Sequence, residues 1–198
     1  IFKTELIDRL KKHFKPTPYG RRVIMTTGIG ESFLADKIKD WEEALPDFMS
    51  LAYLPQYGMV RLRLDARHEN EKLLQECLDN QIQKLKEIIS DYIFSYDDKP
   101  ISEVIVNILK ERNLSLSTAE SCTGGSIARM ITSVPGCSYI YKGSVIAYDS
   151  KVKEELLNVN HDDIEKYNVV SQEVAEQMAI GARNLMNTDF ALSTTGIA

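Results

Sequence analysis

The chain has few residues of the kinds that build metal sites or disulfide frameworks. It holds three cysteines and three histidines. Cys77, Cys122 and Cys137 are far apart and odd in number, which argues against a disulfide framework. Neither they nor His13, His68 and His161 show zinc-ligand spacing, so no metal is expected. Unpaired cysteines fit a reducing cytoplasm. No secretory signal is read, and no apolar run approaches the roughly 18 residues a membrane helix needs, so no membrane partner is expected. Positive charge is not in excess either. The 24 Lys+Arg against 29 Asp+Glu leave a net charge of −5, which disfavours nucleic-acid binding by phosphate neutralisation. Arg9, Lys11, Lys12 and Lys15 cluster near the start and read as a solvated helix face.

What is present is an ordinary globular composition, 43% hydrophobic over 198 residues, enough for one large domain or two small ones. Phe2, Leu6, Ile7, Leu10 and Phe14 recur at helical spacing. A strand over 21–27, the Gly28-Ile-Gly30 turn and a helix capped by Ser32 with Phe33, Leu34, Ile38, Trp41 and Leu45 come next. A hairpin over 50–54 and 60–64, a helix over 69–91 and a strand over 93–96 complete a small α+β sandwich. Gly28-Ile-Gly30 reads as a structural turn. Its glycines are too close for a Gly-x-x-Gly nucleic-acid clamp, and the third glycine of a dinucleotide fingerprint is absent.

Asp97-Asp-Lys-Pro100 is a short polar break that separates residues 1–97 from 98–198. Beyond it, strands alternate with helices. Val104, Ile105, Ile108 and Leu109 form one helical stripe, with Asn113 as its stop; Leu114 to Ala119 reads as a strand. A helix to Ser133, a β run over 139–148, a short helix over 151–157, a helix capped by Ser171 with Val174, Met178, Ala179, Ala182 and Leu185 inward, and a strand over 190–195 follow. This order predicts a three-layer α/β domain with its site at strand ends.

Ser121 stands where a strand becomes a helix, in Thr118-Ala-Glu-Ser-Cys-Thr-Gly-Gly125. Unpaired N–H groups and a positive helix end gather there. Ser121 or Thr123 could simply cap the helix. The hydroxyl of Ser121 could also act as a nucleophile if a base takes its proton. Cys122 is the stronger intrinsic nucleophile beside it. No histidine lies near in sequence, so a lysine is the candidate base, and both Lys151 and Lys153 are available.

The series Ala119-Glu-Ser-Cys-Thr-Gly-Gly125, Ser133-Val-Pro-Gly136, Gly143, Ala147-Tyr148, Lys153, Val170-Ser171, Met178-Ala179 and Thr195-Gly-Ile-Ala198 resembles the carboxy-terminal domain of the CinA family. Residues 1–97, with Thr27-Gly-Ile-Gly-Glu-Ser32, look like the family's KH-like module. The resemblance implies a cytoplasmic, homodimeric amidohydrolase that converts nicotinamide mononucleotide to nicotinate mononucleotide and ammonia without a metal or organic cofactor. It implies Ser121 as nucleophile and Lys153 as general base. Backbone N–H groups of Thr123, Gly124 and Gly125 would hold the oxyanion, and Ser138, Tyr148, Thr195 and Gly196 would line the substrate pocket. It also implies that the chain is an excerpt of a longer protein, whose amino-terminal domain is linked to ADP-ribose hydrolysis. The competing expectation is a non-enzymatic binding or assembly module.

Overall fold

The structure is a computed structural model that describes residues 6–14 and 17–197. Phe2, Lys15 and Pro16, on which part of the first helix expectation falls, lie outside the described residues. The chain divides into two compact units between Lys99 and Pro100.

In the first unit, helix α1 (Ile7–Phe14) leads to strand β1 (Tyr19–Thr27), helix α2 (Glu31–Glu43), the hairpin β2 (Met49–Gln56) and β3 (Met59–Arg67), helix α3 (Glu71–Ile89) and the short β4 (Ile93–Ser95). The strands form one antiparallel sheet in the order β2-β3-β1-β4. Strict alternation explains β3. Val60, Leu62, Leu64 and Ala66 are buried against Leu34, Ile38 and Trp41 of α2 and Leu74, Leu78 and Leu85 of α3, while Arg61, Arg63, Asp65 and Arg67 occupy the other face. Two expectations for α2 are corrected. Its N-cap is Gly30 with no side-chain cap bond, not Ser32, and Phe33 is exposed.

The second unit contains α4 (Ile101–Glu111), β5 (Leu116–Glu120), α5 (Ser126–Thr132), β6 (Tyr141–Ile146), α6 (Ser150–Leu157), α7 (His161–Tyr167), α8 (Gln172–Met186) and β7 (Phe190–Thr194). The strands are parallel in the order β6-β5-β7, so β5 is central, and all five of its residues are buried. Alternate β5 residues face two separate cores. Leu116 joins Val106, Leu109 and Ile131 from α4 and α5; Ala119 joins Leu157, Ile164, Val174 and Met178 from α6, α7 and α8. Helices therefore cover both faces, giving the three layers expected from the sequence.

The inward faces differ in detail. On α4 the buried residues are Ser102, Val106 and Leu109, whereas Ile105 and Ile108 are exposed; on α8, Leu185 is exposed. Helix α7 was not anticipated, although Asn160 as cap and Asp162 and Asp163 in the first turn are its local signature.

Helix α8 lies against the end of α6 at Gly181. A Cβ built there would stand 2.0 Å from the Leu157 carbonyl oxygen, so only glycine allows this approach. Leu157 ends the helix that carries Lys153. We expect Gly181→Ala to push α6 outward and destabilise the protein by about 1–3 kcal/mol, measured by chemical denaturation.

Candidate active site

The junction after β5 is built from three strand ends. The Ser121 N–H donates to the Thr194 carbonyl at 3.0 Å, tying the turn to the end of β7, and the Ala147 N–H donates to the Glu120 carbonyl at 2.7 Å, tying β6 to β5. Gly124 (φ 56) and Gly125 (φ 94) follow in the left-handed region, which glycine enters without Cβ strain. A Cβ on Gly125 would also approach Ile146 to 3.0 Å. The chain thus reverses in two residues and leaves Ser121 at the C-terminal edge of the sheet, where α/β sheets place their sites.

The lysine arrives from the other side. Asp149 caps α6 by accepting the Lys151 N–H at 2.8 Å, and one turn on, Lys153 extends back under the strand ends. It is the largest of the fully buried side chains among the described residues, 2% exposed. Its Nζ lies 2.7 Å from the Ala147 carbonyl, 3.2 Å from the Tyr148 carbonyl and 3.2 Å from Ser121 Oγ. Burial pushes its pKa below the ordinary lysine range, because the ammonium form loses hydration; the Asp149 carboxylate opposes this. A neutral amine has two N–H bonds and one lone pair. With the two carbonyls accepting the N–H bonds, the lone pair is left for the Ser121 hydroxyl, at a separation that allows direct proton transfer. Lys151, the alternative base, is exposed.

Of the three N–H groups expected to hold an oxyanion, two are engaged elsewhere and that of Thr123 is not. The Gly124 N–H donates to the Ser121 carbonyl at 3.1 Å, and the Gly125 N–H donates to Glu120 Oε2 at 3.0 Å, so both are taken. The N–H groups of Cys122 and Thr123 have no hydrogen-bond partner among the described residues. Nor does a hydroxyl cap the helix: Gly125 is the N-cap of α5, without a side-chain cap bond. Glu120 takes that part. It stands in the Ser121 motif without an expected role, although a carboxylate just ahead of a helix start is itself a signal.

The remaining expected residues are divided. Gly196 packs on the turn, since a Cβ there would stand 3.0 Å from Cys122 Sγ. Thr195 is half-buried, and its hydroxyl donates to the Val169 carbonyl at 2.7 Å, so it fastens the loop after β7 to the loop before α8. Tyr148 projects from the strand end with 71% of its surface exposed. Ser138 is not brought to this site. It lies in the turn before β6, beside the Leu116 end of β5, with the strand's length of about 13 Å between it and Ser121. A cavity of about 480 Å³ lies at that same far end, lined by Lys110, Ser115, Tyr139, Lys142 and Asp189, and a cavity of about 320 Å³ borders Gly28, Ile29 and Gly30 in the first unit. Neither touches Ser121. In the second motif, Gly28 has φ 77 and Gly30 precedes α2, as a structural turn requires.

Residues 98–198 match the CinA C-terminal domain, and residues 21–95 match the damage-inducible protein CinA KH domain. The chain belongs to the CinA family. A CinA-like protein of Flavobacterium psychrophilum is 43% identical over 199 residues, covering 100% of this chain and 48% of that protein. A CinA-like protein of Cytophaga hutchinsonii is 40% identical over 191 residues, covering 96% and 46%. This CinA-family chain therefore spans about half the length of the curated relatives it matches. Among solved structures, a competence/damage inducible protein of Agrobacterium tumefaciens is 34% identical, with a TM-score of 0.48 over 49% of this chain and 59% of that one. No helix among the described residues is long and apolar enough to cross a membrane.

The buried amine predicts a pH signature. Between the lowered native pKa of Lys153 and the ordinary lysine value, the unfolded chain binds the extra proton, so the stability of the wild type rises with pH. Relative to Lys153→Met, which lacks the titrating group, the wild type should gain stability as the pH rises towards the ordinary lysine range from below it, and the gain should level off beyond that range. Denaturation series at several pH values measure that slope.

Proposed function

We propose that this CinA-family chain carries an amidohydrolase site that converts nicotinamide mononucleotide to nicotinate mononucleotide and ammonia. The observation that carries the reading is a buried amine 3.2 Å from a serine hydroxyl, with its other hydrogen-bonding capacity directed to two main-chain carbonyls. The geometry supports acyl transfer; the choice of a nicotinamide nucleotide rests on the family resemblance. We take the whole protein to be a cytoplasmic homodimer on the same ground.

In this reading Ser121 Oγ attacks the carboxamide carbon as its proton passes to Lys153 Nζ. The carbonyl oxygen becomes an oxyanion facing the Cys122 and Thr123 N–H groups. Lys153 returns the proton to the amide nitrogen, the C–N bond breaks, and ammonia leaves with an ester on Ser121. Water, deprotonated by the same amine, then cleaves the ester to the carboxylate and frees the hydroxyl. Each step is completed by proton transfer through one lysine, so the mechanism uses neither metal nor organic cofactor.

The test is release of ammonia from nicotinamide mononucleotide by the purified protein. We expect Ser121→Ala and Lys153→Ala each to lower kcat/KM by at least about 10³-fold. Lys153→Arg, whose guanidinium stays protonated and cannot act as a base, should be equally inactive. Activity of the wild type should rise with pH along a limb centred below the ordinary lysine range. Undiminished release by Ser121→Ala would refute the assignment.

A further inference from the structure

Glu120 is the last residue of β5 and has no exposed surface. An ionised carboxylate so enclosed costs several kcal/mol unless donors replace its lost hydration. Four donors do so. Oε1 accepts the Ala128 N–H at 2.8 Å; Oε2 accepts the N–H groups of Gly125 and Ile127, each at 3.0 Å, and the Thr123 hydroxyl at 2.7 Å. Burial by itself would raise the acid's pKa, but these donors, led by Ala128, hold it below the usual range, so the group is an anion at neutral pH.

Capping alone does not require this arrangement. A seven-residue helix is commonly closed by a serine or aspartate at its own N-cap, at lower desolvation cost. Here the anion comes instead from the residue before Ser121. Its main chain is fixed to β6 through Ala147, and its side chain grips positions 123, 125, 127 and 128. Glu120 therefore holds both ends of the turn that carries the serine. Thr123 is oriented by the same carboxylate, and its Oγ1 also lies 2.7 Å from Thr194 Oγ1. The helix-end donors that would otherwise attract an anion are occupied, and the Cys122 and Thr123 N–H groups are those left over.

We propose that Glu120 is a positioning residue of the reaction: its carboxylate holds the Ser121 hydroxyl and the Cys122 and Thr123 N–H groups in attacking geometry without touching substrate. The inference rests on the acyl-transfer reading of Ser121. In Glu120→Gln one carboxylate oxygen becomes an NH₂ that faces an N–H, so the turn must shift while the side-chain volume is kept.

Two readouts test it: turnover of nicotinamide mononucleotide, and covalent labelling of Ser121 by a fluorophosphonate followed by intact mass. We expect Glu120→Gln to lower kcat about 10²-fold, the scale of one lost oxyanion donor, with KM within about threefold. It should label to full stoichiometry but at least tenfold more slowly, and the pH midpoint of its rate should match the wild type. Wild-type rates would overturn the inference. So would a labelled fraction reduced in amount but normal in rate, because that reports only fewer folded molecules. Should Glu120→Gln not fold, Thr123→Val removes one of the four donors and is expected to slow labelling about tenfold; an unchanged rate again overturns the inference. A wild type that neither labels nor turns over defeats the amidohydrolase reading and this inference together, whereas an active wild type with an equally active Glu120→Gln defeats this inference alone.

Discussion

The exclusion of water from one amine is the constraint on which the second unit depends. Lys153 in bulk solvent would be protonated at neutral pH and useless as a base; enclosed beneath the strand ends, its charged form is disfavoured. That enclosure is destabilising, and the surrounding architecture offsets it. Leu157, Val174 and Met178 form the core next to α6, and Gly181 lets α8 approach the α6 backbone closely enough to keep the helix in place. The two carbonyls that accept from Nζ belong to the residues just past β6. Strand, helix and buried amine are a single unit mechanically.

A second buried charge stands close by and is handled oppositely. Lys153 has only neutral acceptors around it, which do not make up for its lost hydration, so burial lowers its pKa. Glu120 is enclosed with four donors and is kept ionised. The contrast follows from partners, since both groups are nearly or fully buried. Hydrogen-bond complement rather than depth of burial separates the two behaviours. The turn between them is short enough that glycine occupies both of its left-handed positions.

Much of the fold was legible from periodicity. Residues 60–64 alternate so regularly that the second strand of the hairpin follows directly, although β3 runs on to Arg67, and the glycines after Ser121 lie in the turn. The misreadings have a common cause. Ile105, Ile108 and Leu185 are apolar and suitably spaced, yet are exposed, because spacing defines a stripe but not which part of it another element covers. Ser32 offered a hydroxyl for α2, but the helix begins two residues earlier than that cap would allow, at Glu31, with Gly30 as its cap.

What the sequence determined by itself is every helix and main strand but α7, the strand-to-helix location of Ser121, and a nearby lysine rather than a histidine as the candidate partner of that serine. Those are local properties of spacing and composition, and they survive without knowledge of what packs where. Tertiary structure alone decided which lysine is enclosed, since Lys151 and Lys153 are near neighbours on one helix but differ in what surrounds them. It also decided which N–H groups remain available, because Glu120 had claimed the donor of Gly125, and it set Ser138 at the far end of the sheet. Desolvation and donor competition are sums over groups distant in sequence, so no reading of neighbours along the chain could have supplied them.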